Sequence, residues 1–170
     1  MPKAKSFRTL STPISGLKIH LNKVVDDKRG FFCDLAETDN PIWKTKVKHL
    51  HASIGMKKGV SRGEHYHLKL IENFWVLSGA SLWIFHDFNK TSKTYGKTWS
   101  LVLDFPPKKN KLSQIEIPPY IYHALWPLTN EPVVVFATGT TGYDSTDFVR
   151  PKIDEVPGAL KILKKFKIKS

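Results

Sequence analysis

The chain is 170 residues long, enough for one domain with a sizeable core and too short for two ordinary ones, and its 41% hydrophobic and 12% aromatic residues are spread along it, which excludes global disorder. The formal charge of +12 favours an anionic partner, but no helix-turn-helix, finger or RNA-recognition pattern accompanies it, so a small phosphorylated ligand is expected and nucleic acid is not. No leader-like apolar run follows Lys3, Lys5 and Arg8, no run of about 18 apolar residues occurs, and Cys33 has no internal partner, so a cytoplasmic protein without membrane contact is expected.

In chain order, residues 1–16 read as irregular, with Pro2, Pro13 and Gly16. Short β-like runs separated by turn residues follow. They are Leu17 to Val25, Phe31 to Glu37, Lys46 to Ile54, Ser61 to His67, Glu72 to Leu77, Ala80 to Asp87, Thr98 to Leu103, Ser113 to Ile117 and Val133 to Thr138. Many short strands without a long amphipathic helix between them predict an all-β sandwich or barrel. Only the end, from Glu155 through Ala159, Leu160, Ile162, Leu163 and Phe166, has helical spacing, and a short helix packed on the barrel or on a partner is expected there. We read a single domain over 1–170, with the barrel at about 17–150 and a C-terminal tail at 151–170.

The densest chemistry lies between Gly59 and Gly79. His65 and His67 are two apart on a predicted strand, so both imidazoles leave the same face and can share one ion. Glu72 opens the next run and reaches them if the two runs pair as a hairpin. Far downstream, Ile117-Pro-Pro-Tyr-Ile-Tyr-His123 reads as a strand end, a proline turn and a histidine at the start of another strand, a fourth ligand candidate. Three imidazoles and a carboxylate suit a divalent zinc, iron, manganese, nickel or cobalt ion and do not choose among them.

The spacing of Gly59, His65, His67, Glu72 and Gly79 resembles the first cupin motif, and Pro118 to His123 the second, except that Tyr120 stands in place of its glycine. The resemblance implies a cupin jelly-roll β-barrel. Three further segments resemble the dTDP-4-dehydrorhamnose 3,5-epimerase family in that family's order: Asp27-Lys-Arg29-Gly30-Phe31-Phe32, Arg62-Gly63-Glu-His65-Tyr66 and Ser92-Lys-Thr94-Tyr95-Gly96-Lys-Thr-Trp99. This implies a homodimer acting on a nucleotide-linked 4-keto-6-deoxy sugar. It also implies substrate-binding roles for Arg29, Phe32, His49, His51 and Arg62, with Ser53 on the same strand face, and a catalytic role for His65.

The chain departs from that family at two places. Glu72 occupies the position of its catalytic lysine, and its proton-donating tyrosine aligns best with Phe136; Tyr143 is the nearest phenol and stands as the candidate acid. The expected chemistry is epimerisation or ketoisomerisation next to a ketone, where a divalent ion stabilises the enolate oxygen. A metal-bound His65 cannot also be the free base, which leaves hydroxide on the ion, His49, His51 or Tyr143. Three alternatives remain: a cupin-type sugar-phosphate isomerase, an iron dioxygenase, and a sugar-binding module without catalysis.

Overall fold

The computed structural model describes residues 7–37, 39–107 and 111–169. Eleven strands occur among these residues, all paired antiparallel: β1 (Phe7–Ser11), β2 (Lys18–Asp27), β3 (Gly30–Cys33), β4 (His49–Gly55), β5 (Arg62–His67), β6 (Glu72–Asp87), β7 (Thr98–Phe105), β8 (Lys111–Ile117), β9 (Ile121–Pro127), β10 (Val133–Gly139) and β11 (Phe148–Val149). One α-helix, α1 (Ala159–Lys165), follows the strands, and among the described residues no helix is long and apolar enough to cross a membrane.

The strand β6 ties the architecture together. Its first part pairs with β8 and β10, as Phe74 opposite Ile115 and Ala137, while its second part pairs with β7 and β9, as Phe85 opposite Trp99 and His123. It thus belongs to both sheets of a jelly-roll sandwich. The sequence pattern suggested two strands divided near Gly79; the strand instead bends there, with Gly79 at φ +70°. A Cβ at this point would lie 2.9 Å from the Pro132 carbonyl oxygen and 3.1 Å from Val133 Cγ2, so the bend needs glycine twice over. The bend also switches parity. Phe74 and Val76 face the inner core before it, and Trp83 and Phe85 after it.

Two further expectations are corrected. Residues 7–11, expected to be irregular, form β1 because β2 supplies a partner, from Phe7 opposite Asn22 to Ser11 opposite Lys18. The segments carrying His67 and Glu72 do not form a hairpin: β9 lies between β5 and the second half of β6, with His123 opposite both His65 and Phe85.

Both faces of β9 are buried, which explains why every residue of it but His123 is apolar or aromatic. One face enters the inner core, and the other meets α1, where Leu82, Ile84, Tyr122 and Trp126 pack against Ala159 and Leu163. The tail therefore packs on the barrel. A third cluster, built on Val24, Ile42, Trp75 and Leu112, closes the outer side of β6 and β8.

Candidate active site

His65 and His67 leave β5 on its inner face beyond a bulge at Glu64, which takes φ +58° and shifts the register so that Gly63 opposes Ala124 and His65 opposes His123. Gly63 is required beside it, since a Cβ there would stand 2.9 Å from the His123 carbonyl oxygen. Glu72 enters from the opposite sheet, at the start of β6, and His123 from β9. One ligand atom from each of these four side chains lies within 4.8 Å of all the others. Donors about 2.0–2.2 Å from one ion stand up to about 4.4 Å apart, so a shift of a few tenths of an ångström inward brings the four to a single site.

The hydrogen-bond pattern separates inner from outer nitrogens. His67 Nδ1 lies 3.1 Å from Asp147 Oδ2 and His123 Nδ1 lies 3.2 Å from the Ile121 carbonyl oxygen. Both partners only accept, so both Nδ1 atoms carry the hydrogen. The Nε2 atoms then point inward, at 3.2 Å and 3.1 Å from Glu72 Oε2. All three atoms are buried, and none has a hydrogen-bond partner. In neutral rings they are lone pairs facing lone pairs, which repel until a proton or a cation stands between them.

Electrostatics agree with a cation-seeking cluster. Burial disfavours the Glu72 carboxylate, but His123 and His67 outweigh it and hold the carboxyl well below the usual range. Burial likewise opposes charge on His67, and Glu72 and Asp147 overcome it, so that its pKa rises. His65 has no such help: burial first, and then His123, push it down to about 3, which keeps it neutral.

The cluster opens into a cleft of two lobes, about 420 Å³ and 340 Å³, which share His51, His65, Glu72 and Arg150. Ser53, Arg62 and Trp83 line the first lobe; His49, Tyr143 and Asp147 line the second. Arg62 is fixed by donating from Nε to Ser53 Oγ at 3.1 Å, and Arg150 reaches the Gly63 carbonyl oxygen at 3.3 Å. The mouth of a cleft floored by imidazoles is thus cationic. His51 has a buried Nδ1 without a partner, and burial lowers its pKa.

The structure brings together His49, His51, Ser53, Arg62, His65, His67, Glu72 and His123. Tyr143 stands on the rim, 76% exposed, with its ring 5.8 Å from that of Phe148. Arg29 and Phe32 lie elsewhere: Arg29 is exposed and ion-paired with Asp27, and Phe32 is 64% exposed on β3. Phe136 faces outward against Trp75, whereas Val135 and Ala137 of the same strand face the core. A phenol at position 136 would therefore point away from the cleft, so the alignment of the catalytic tyrosine with Phe136 does not survive the parity of β10.

Asp147, Phe148 and Arg150 were not legible as site residues. They sit on and beside a two-residue strand, β11, too short for any period, and only its pairing with β5, Phe148 opposite His67, brings them to the histidines.

No curated protein sequence matches the chain. Among solved structures, that of the Legionella pneumophila dTDP-6-deoxy-D-glucose-3,5-epimerase in complex with dTDP-4-keto-L-rhamnose is 23% identical, with a TM-score of 0.75, covering 88% of this chain and 81% of that one. The Sulfolobus tokodaii dTDP-4-dehydrorhamnose 3,5-epimerase is 24% identical, with a TM-score of 0.74 and coverage of 89% and 85%. The Bacillus anthracis enzyme of the same name, solved with TDP and pyrophosphate bound, is 17% identical, with a TM-score of 0.76 and coverage of 89% and 88%. At these identities the likeness establishes the jelly-roll fold, and a family model then decides the relationship: matched over residues 11–153, the chain belongs to the dTDP-4-dehydrorhamnose 3,5-epimerase family.

Proposed function

We propose that this protein is an isomerase that inverts a carbon next to the ketone of a nucleotide-linked 4-keto-6-deoxy sugar, with a divalent ion held by His65, His67, Glu72 and His123. The observation that carries the reading is the cleft itself, where two arginines, Arg62 and Arg150, stand over a buried His/Glu cluster. Planar guanidinium groups suit the oxygens of a diphosphate. The orphaned Nε2 atoms of His67 and His123 and Glu72 Oε2 fit an ion. An ion bound there supplies Lewis-acid stabilisation of the enolate oxygen.

The chain's own groups do the remaining work. Arg62 and Arg150 orient the nucleotide end, and Trp83 and Phe74 wall off water from the sugar. With His65 committed to the cluster, His51 takes the proton: it borders both lobes, is held neutral by burial, and has a nitrogen without a partner. Return of a proton to the opposite face of the carbon falls to Tyr143 on the rim or to solvent. We place the enzyme in the cytoplasm as a homodimer. Val25, Phe31 and Phe32 on the β2–β3 hairpin are 51%, 48% and 64% exposed, and a second copy would cover them. Arg29 and Phe32 contact a nucleotide only if that hairpin meets the cleft of the second copy.

The test is incubation with a dTDP-linked 4-keto-6-deoxyhexose in D2O, followed by proton NMR at carbons 3 and 5. Deuterium entering either position supports the isomerase. Tight binding without exchange makes the protein a sugar-nucleotide binding module, a reading favoured by the lack of an inward phenol on β10.

A further inference from the structure

His67 is gripped from outside the cluster by one carboxylate. Asp147, 5% exposed, accepts from His67 Nδ1 at 3.1 Å, from the Lys69 N–H at 2.9 Å and from the Leu70 N–H at 3.3 Å. Its own carbonyl accepts from the Leu68 N–H at 2.9 Å. The side chain is therefore pinned to the backbone that follows β5 as well as to the ring. Phe148, next in the chain, sets its ring 5.4 Å from that of His67 in an edge contact. The segment 147–148 clamps one imidazole from two sides.

This clamp bears on the ring's chemistry. A neutral imidazole has two tautomers, and a turn of half a revolution about its outer bond exchanges a nitrogen for a carbon at the inner position. A carboxylate that only accepts allows one outcome, with hydrogen on Nδ1 and a bare lone pair on Nε2. We propose that Asp147 is the positioning residue of the metal centre, fixing His67 so that its Nε2 lone pair meets the point where Glu72 and His123 converge. The proposal rests on the metal reading of the cluster. It adds a residue from a segment that supplies none of the four ligands, and it makes Asp147 a determinant of ion affinity that never touches the ion.

The test uses the untagged full chain and two variants, Asp147→Asn and Asp147→Ala. Affinities for zinc and manganese are measured by competition with a chromogenic chelator, and histidine tautomers of the metal-free protein are read from long-range ¹H–¹⁵N spectra at alkaline pH, where the rings are neutral. Both variants, folded by circular dichroism, should bind each ion roughly 10–100-fold more weakly. His67 should carry its hydrogen on Nδ1 in the parent chain and redistribute it toward Nε2 in Asp147→Ala. Unchanged affinity in a folded variant overturns the proposal, as does an Nε2–H tautomer in the parent. If the parent binds neither ion, the metal reading fails, and the tautomer spectrum alone then decides whether Asp147 positions the ring. The same spectrum decides if neither variant folds.

Discussion

Loading the cluster should stabilise the whole barrel, because its ligands come from β5, β6 and β9, and Glu72 belongs to the sheet opposite the histidines. An ion there would cross-link the two sheets at a point where three buried polar atoms lack hydrogen-bond partners. A ligand present at about 100 times its Kd adds about 2.7 kcal/mol to the folded state. For a chain of this size each kcal/mol moves Tm by about 2–4 °C, so the expected rise is about 5–11 °C. The assay is differential scanning fluorimetry on chelator-treated, untagged protein titrated with zinc, manganese, iron(II), nickel and cobalt. Glu72→Gln keeps the shape and removes the one anionic ligand, and it should cut the rise to less than half for the ion that works best. The reasoning is refuted if none of the five ions shifts the parent chain, or if Glu72→Gln shifts as far.

Other substitutions separate the remaining roles. Arg62→Ala, which removes the guanidinium held by Ser53, should weaken binding of a dTDP-sugar at least tenfold by calorimetry while leaving ion content intact; equal affinity removes the diphosphate role. His51→Gln should suppress deuterium exchange at the sugar carbon by a factor of about 10²–10⁴ without altering nucleotide affinity, and undiminished exchange would assign the base elsewhere. Glu116 is held below its ordinary value of 4.5 by His20 first and Lys18 next, so its contribution is complete above that value and is lost as pH falls through the lower folded one. Urea midpoints should therefore decline less steeply below about pH 4.5 in Glu116→Gln than in the parent, and parallel declines would contradict the assignment. Gly79→Ala, at φ +70° and against the Pro132 carbonyl, should cost about 1–3 kcal/mol in urea unfolding, whereas a neutral result would mean that β6 does not need its bend.

Much of this protein is legible in one dimension. The class follows from turn residues spaced between short apolar runs, and the four ligand candidates follow from His65 and His67 two apart on a strand, Glu72 at the head of the next and His123 after a proline turn. The alternation of His49, His51 and Ser53 likewise survives as an inward face of β4, since a period of two is a local property of extended backbone. Tertiary structure decides what depends on partners distant in the chain. It makes β1 a strand through β2, joins two predicted strands into β6 through a glycine bend, and inserts β9 where a hairpin was expected. It turns Phe136 outward and leaves Arg29 and Phe32 away from the cleft of their own chain. It also carries Asp147, Phe148 and Arg150 to the histidines on a strand of two residues. The physical reason is range: side-chain parity and turn chemistry are set by neighbours, whereas the pairing that aims Asp147 at His67 spans 80 positions and leaves no periodic trace between them.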